Sequence, residues 1–537
     1  MGNNIPPHPL SVWGVTPVPF RAAATSALAL AVILAAMAIL KFLSLHSAHA
    51  DLGFMMNNMD RISAGEGWRL FWGHAQPLMY PYALVYGAAP EIMAAPLLLA
   101  LQAAALGGAL FGVLRGWGWL PGLAFALYFP VWYNALFDFH LDHLAIPLLV
   151  VFFLAAERDR MAWAIAAAGL LALVKEPFAL QTVACGLYLV LAKRRVAAGV
   201  LLVAGGALYF LAVAWFLIPY FTVTGGGVID NTAYSWLGGS LGEMILTLLS
   251  NPGLVWQHVV IPGKIFYVVG LLGGLAFLSL GAPWPLLVAA PIVVISLLSD
   301  NPGYFGLKHH YTAGLIAPLI FAFALTMRRM AAWRDGAMWR MIPIVVLVLA
   351  VGHVAYAPSP VSRLFWTEKV WSYGRDAYRV RDRDMWISEA IDTYIPTDPS
   401  IAVSAQNTLN TARLAHRKYY YIFPDGVLRD ANVPDGRAFS AKGLAIFLLT
   451  GKKARSEPGE TRAEFVVLDL KRPWYLVDKG CRWLYGQCRD ATMAAKFQAA
   501  VAATRRAYIP VFSRDGFSIL KRAPTVETPG RKRGHAE

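Results

Sequence analysis

Two acids and two histidines stand within the seven positions Phe137-Asp138-Phe139-His140-Leu141-Asp142-His143, between two strongly apolar runs. Carboxylates and imidazoles together can move protons or ligate a hard divalent cation. Asp138, His140, Asp142 and His143 are therefore candidates for acid–base or binding work, and Asp138, Asp142 and His140 for a divalent metal. The spacing is no specific metal signature, because on a helix Asp138 and Asp142 would share one face and His140 and His143 another. The bland reading is a polar helix end, solvated and idle. Four ionisable groups in seven positions flanked by Phe favour a site, since such groups are expensive at membrane depth.

Three further places add charge. Asp51, in His49-Ala50-Asp51-Leu52-Gly53, follows the first apolar run and, alone, reads as a helix-terminal carboxylate in water. Lys175-Glu176-Pro177 interrupts a later run. Either the two charges neutralise each other in a wet crevice, or Lys175 binds an anionic oxygen while Glu176 orders the site. Lys308-His309-His310-Tyr311 offers donors beside an interface, where a lysine also snorkels; donors opposite acids suit a phosphate group.

The elements that position these residues follow from the solvent. A chain of 537 residues, 57% hydrophobic and 15% charged, is too apolar for an ordinary soluble protein and reads as a polytopic helical membrane protein. The formal charge of +15 raises nucleic acid as a partner, but in the membrane half the basic residues form short clusters between apolar runs, where they set orientation. No nucleic-acid partner is expected; membrane lipids are.

After a lead over 1–21, apolar runs cover 22–45, 92–114, 120–136, 144–156, 161–174, 177–191, 196–220, 265–280, 284–298, 311–327 and 341–356, about eleven spans. The first lacks a cleavage site and is expected to be retained. Pro177 breaks the pattern at Lys175; the alternative, one kinked helix over 161–191, would reverse every later orientation. With the N-terminus inside and the break in place, Arg115, Arg158, Arg160, Lys193 to Arg195, Arg328 and Arg329 fall on the cytoplasmic side. The acids and histidines singled out above then share the outer face.

The membrane domain is thus expected over 22–356, with long outer loops at 46–91 and 221–263. The second loop contains Gly225-Gly226-Gly227 and a patterned piece over 236–249, a mobile lid or a plain surface loop. From 357 to 523 no run is long enough to span, and a compact α/β domain is expected. It should carry helices over 379–394 and 491–506, strands at 400–404, 419–423 and 465–470, and a hairpin turning at Arg514-Asp515-Gly516. The basic tail 524–537 is expected to be disordered. Cys185 reads as inert packing, while Cys481 and Cys488 are either a disulfide, fitting an oxidising compartment, or two unrelated thiols.

Asp51-Leu52-Gly53, Asn134 to His140 with the acid Asp142, and Leu173-Val174-Lys175-Glu176 together resemble a family of uncharacterised bacterial polytopic membrane proteins. That family is similar to the GT-C glycosyltransferases, among them protein mannosyltransferases and the aminoarabinose transferases of lipid A. The resemblance covers 51–220 well; later spans match in hydropathy and in His309-His310-Tyr311. In the soluble part, residues 403–407, 415–418 and 421–424 look like the outer domain appended to such transferases.

The resemblance implies a GT-C-like fold in a bacterial inner membrane, with the C-terminal domain on the periplasmic side. It also implies transfer of a sugar from a polyprenyl-phosphate donor to a lipid or glycan acceptor by an inverting enzyme. Asp51 then sits where such enzymes keep an acid in the first outer loop, the base for the acceptor. Asp138 and Asp142 fall where some members keep a metal-binding pair, although here they are mixed with histidines. Lys175, Lys308 or His309 would stabilise the leaving phosphate. No nucleotide-binding fingerprint occurs, which is compatible with a lipid-linked donor. The rival class is a transporter or lipid flippase, in which the same acids and histidines relay protons. A third is an assembly subunit that holds partners through its outer domain.

Overall fold

A run of alanine, leucine and isoleucine entered through Pro19 gives α1 (Phe20–Leu43), which ends at a basic residue, Lys41, in its last turn. The structure is a computed structural model, and residues 16–221, 232–332, 341–367, 373–427, 462–472 and 491–524 are described. After α1 the chain forms a π-helical turn (His49–Gly53), then α2 (Phe54–Ser63) and α3 (Met79–Ala88). It returns along α1 as α4 (Glu91–Trp117). The return is close: a Cβ at Gly107 would lie 2.7 Å from the Ala27 carbonyl oxygen.

Gly118, at φ 103°, lets the chain turn from α4 into α5 (Trp119–Leu127) and α6 (Phe129–Leu136). A non-helical break at 137–140 and a 3-10 turn (Leu141–Leu144) lead to α7 (Ala145–Glu157), followed by α8 (Met161–Ala172). Lys175 is extended, and Pro177, in the first turn, opens α9 (Glu176–Leu191). Thr182 Oγ1 donates to the Ala168 carbonyl at 2.7 Å. Fourteen residues of continuous helix would separate them by about 21 Å, so α8 and α9 fold back on each other at Lys175 and are not one kinked helix.

Next, α10 (Val196–Ala212) runs through a π-helical bulge at Val213–Leu217 into a last turn, α11 (Ile218–Phe221). The patterned piece of the second outer loop becomes a 3-10 turn (Thr232–Leu237) and α12 (Leu241–Ser250), and α13 (Pro252–Val259) bends 66° from α14 (Pro262–Gly273). The membrane part closes with α15 (Pro283–Leu298), α16 (Ala313–Ala331) and α17 (Met341–Tyr356).

Among the described residues, four helical stretches are long and apolar enough to cross a membrane: Phe20–Leu43, Glu91–Trp117, Val196–Phe221 and His310–Ala331. The α13–α14 pair makes a fifth if it is one bent span. The helices α8, α9, α15 and α17 are apolar but shorter.

The C-terminal part holds α18 (Arg363–Thr367), α19 (Asp382–Tyr394), β1 (Val403–Ala405), α20 (Ala412–Ala415), β2 (Tyr420–Ile422), β3 (Phe465–Asp469), α21 (Ala491–Ala507), β4 (Tyr508–Arg514) and β5 (Phe517–Arg522). The sheet order is β2-β1-β3-β5-β4. β1 runs parallel to β2 and β3, while β5 is antiparallel to β3 and β4. β3 is buried on both faces, and its alternation sorts the layers. Phe465 and Val467 face Ile387 and Ile391 of α19, whereas Val466 and Leu468 face Phe497 and Val501 of α21. Asp515 and Gly516, both at positive φ, make the hairpin turn between β4 and β5. Gly225 to Gly227, Cys481, Cys488 and the basic tail lie outside the described residues.

Candidate functional site

The stretch from Asp138 to His143 lies where α6 stops, and α6 stops because its last carbonyls are taken by side chains from other helices. Lys41 Nζ, at the end of α1, donates to the carbonyls of Leu136 and Phe137, both at 2.8 Å, and to Asp138 Oδ1 at 3.1 Å. A cation at a helix C-terminus complements the helix dipole. Gln102 of α4 holds the same break: its Nε2 donates to the carbonyls of Ala135 (2.9 Å) and Asp138 (3.3 Å), and its Oε1 accepts from His140 N (3.2 Å). The second Asp138 oxygen accepts from Ala48 N at 2.8 Å. Asp138 is thus engaged at both oxygens, tying the break to the chain just before Asp51.

Asp51 and His140 meet, with His140 Nε2 3.3 Å from Asp51 Oδ1. The His140 ring stacks on His310, centroids 3.7 Å apart and 13° from parallel. His310 Nε2 lies 4.0 Å from Asp142 Oδ1, and the same oxygen lies 3.7 Å from Lys175 Nζ. The ring of Phe137 packs against His309 and His310, and Asn134 Nδ2 donates to Thr312 Oγ1 at 2.8 Å, docking α6 on the turn that opens α16. Five candidate residues from four segments therefore form one string: Asp51, His140, His310, Asp142 and Lys175.

Three further candidates have partners of their own. His143 donates from Nδ1 to the His140 carbonyl and accepts at Nε2 from Tyr82 Oη (3.3 Å), a neutral tautomer in a supporting position. Glu176 accepts from His74 Nδ1 (2.7 Å) and from Ala75 N (3.1 Å), beside the string but committed to the first outer loop. Lys308 is half-buried and its carbonyl accepts from Tyr373 Oη (2.8 Å).

Asp138, His140 and Asp142, the expected ligands of a divalent metal, are each engaged with a different partner. The stretch is a break followed by a 3-10 turn, not a helix with two faces. Asp138 turns toward Lys41, Asp142 toward Lys175 and His140 toward Asp51. Among the described residues, no group of three or more His, Cys, Asp or Glu side chains could hold a metal ion.

Buried polar atoms are normally hydrogen-bonded. Three at the centre of the string are not: His140 Nδ1, His310 Nδ1 and Asp142 Oδ2 find no partner among the described residues. Asp51 differs in accessibility, its side chain being 24% exposed against 4% for Asp138 and 5% for Asp142. Upstream, His49 is pushed down to about 3 by burial, so it is neutral at physiological pH and packs as an aromatic ring. Sequence reasoning missed Lys41 and Gln102. A lysine closing an apolar run reads as a snorkelling end, and nothing near Gln102 distinguishes it from a lone polar residue within a span.

The fold and this string define a polytopic helical membrane protein with a small C-terminal sheet domain and a buried acid–histidine–lysine cluster at one end of its helices. Residues 52–436 match the family model described as predicted membrane protein (DUF2079), and the chain belongs to that family. No curated protein matches the chain. Among solved structures, the chain is similar to ArnT from Cupriavidus metallidurans bound to undecaprenyl phosphate, at 13% identity and a TM-score of 0.40, over 94% of this chain and 98% of that one.

Proposed function

We propose that the protein is a membrane glycosyltransferase of the GT-C kind, moving a sugar from a polyprenyl-phosphate donor to a lipid or glycan acceptor on the periplasmic face of a bacterial inner membrane. The observation that carries this reading is the string itself: an accessible carboxylate, Asp51, runs through His140 and His310 to Asp142 and the buried cation Lys175. In the reaction, Asp51 takes the proton of the acceptor hydroxyl. The acceptor oxygen bonds to the anomeric carbon with inversion, the bond from that carbon to phosphate oxygen breaks, and its electron pair leaves with the polyprenyl phosphate. Lys175 lies within reach of the cluster to offset the charge gathering on that oxygen. His140 orients Asp51, and the unpartnered nitrogens of His140 and His310, with Asp142 Oδ2, are the groups a sugar's hydroxyls would pair. Asp138 and Glu176, engaged as they are with Lys41 and His74, support the site rather than react.

Purified protein in liposomes, supplied with a labelled polyprenyl-phosphate sugar and a membrane-lipid acceptor mixture, tests the reading. A labelled, covalently modified acceptor is expected. Movement of the labelled lipid across the bilayer without a covalent product would instead make the same residues part of a flippase.

A further inference from the structure

The turn that carries Asp51 is held from the C-terminal domain. The first N–H groups of any helix have no partner within it. In the π-helical turn His49–Gly53, two of them are taken by one residue: the Asn407 carbonyl accepts from His49 N at 2.8 Å, and Asn407 Oδ1 accepts from Ala50 N at 2.8 Å. The preceding N–H, of Ala48, goes to Asp138. Three successive amides are therefore fixed by groups outside the turn, one from the membrane helices and two from the sheet domain, and Asp51 is the next residue.

Asn407 is itself anchored. It lies just past the end of β1, next to Gln406, whose N donates to the Val467 carbonyl (3.0 Å) and whose Nε2 donates to Thr408 Oγ1 (2.8 Å) and to the Asp469 carbonyl (3.0 Å). Two more contacts tie the turn and the helix after it to the same domain. The Tyr420 ring of β2 stacks on His49, centroids 3.6 Å apart and 11° from parallel. Asn57 Nδ2 of α2 donates to the carbonyls of Ala415 (2.8 Å) and Arg417 (2.6 Å).

We propose that Asn407 is a positioning residue: by capping the amides of His49 and Ala50 it sets the backbone from which Asp51 reaches His140 and the acceptor, so that the sheet domain is a working part of the site. Its kinetic consequence rests on the transferase reading above; its structural consequence does not. A domain that merely docked would tolerate loss of this one acceptor.

The test uses full-length protein in lipid nanodiscs with three variants. N407L and N407A remove the side-chain acceptor of Ala50 N while the main-chain carbonyl that meets His49 N stays, and N407D keeps an oxygen at the same place. Hydrogen exchange of the amides at 48–52 is expected to rise at least about tenfold in N407L and N407A and to stay within about twofold of wild type in N407D. Exchange across β3 should be unchanged in all three. In the transfer assay, kcat should fall about ten- to a hundredfold in N407L and N407A with KM for the donor within about twofold, and N407D should restore most of it. Unaltered exchange at 48–52 in both acceptor-less variants overturns the proposal, as does faster exchange with kcat unchanged, or equal loss in N407D. Absence of transfer by the wild-type protein sinks the transferase reading alone, and the exchange measurement still decides the cap.

Discussion

At the scale of the residue, the four acids of the site divide by what already holds them. Asp138 has a lysine and an amide, Glu176 a histidine and an amide, and Asp142 a lysine at 3.7 Å and a histidine at 4.0 Å, with one oxygen that finds no partner among the described residues. Among the described residues Asp51 has a single ion-pair partner, a histidine at 3.3 Å, and it is the most exposed of the four. Breaking a buried ion pair from one side strands a charge. K41M, which leaves Asp138 buried and also frees two carbonyls, should therefore lower stability by about 3–5 kcal/mol, read from denaturation of the detergent-solubilised protein. D138N should cost less, because an amide still accepts from Ala48 N. Replacing both partners with apolar groups should cost less than the two single changes summed. Additive losses would mean that Lys41 and Asp138 act independently. For Lys175, the expectation is kinetic: K175M should slow sugar transfer by about 10²-fold while donor binding changes little.

At the scale of the element, helix ends decide where chemistry is placed, and their legibility differs. The fold-back at Lys175 is readable because Pro177 announces it locally. The break at 137–140 is not, because its cause is Lys41 and Gln102, whose contacts lie more than 30 residues away in sequence. Local spacing alone therefore suggests shared helix faces for Asp138 and Asp142 that the chain does not form. The π-helical turn at Asp51 is hidden for the same reason: its caps come from Asn407 and Asp138. Between α9 and α10 the close approach is set by glycines. A Cβ at Gly186 would lie 2.6 Å from the Gly199 carbonyl, and one at Gly199 2.7 Å from the Gly186 carbonyl. Those contacts are with backbone, which cannot swing away, so G186A and G199A should each destabilise the protein by about 1–3 kcal/mol in the same denaturation experiment. G108A, with nothing within 4 Å of the added carbon, is the matched control and should stay within about 0.5 kcal/mol.

At the scale of the whole molecule, composition and hydropathy were enough to read a polytopic helical protein, and short apolar runs were enough to read strands that overlap β1 (expected at 400–404, found at Val403–Ala405), β2 and β3, and the β4–β5 hairpin. The sheet order β2-β1-β3-β5-β4 was not readable, since each non-sequential pairing depends on partners far along the chain. Orientation rests on basic clusters and is open to direct test. In a background with Cys481 and Cys488 replaced by Ser, S63C stands exposed at the last residue of α2 and R194C in the turn between α9 and α10. A membrane-impermeant thiol reagent should label S63C in cells with a permeable outer membrane, and R194C only after the inner membrane is opened. The reverse pattern would put the acid–histidine string on the cytoplasmic side, where a nucleotide-linked donor would also be within reach.

The central claim is that Asp51 is the base of a sugar transfer, and D51N tests it most directly. The change preserves size and leaves one oxygen to meet His140, but removes the group that accepts the acceptor's proton. In liposomes containing a labelled polyprenyl-phosphate sugar, D51N should transfer label at least about 10²-fold more slowly than wild type, with the protein equally folded and the donor equally bound. Wild-type-like turnover by D51N would contradict the account.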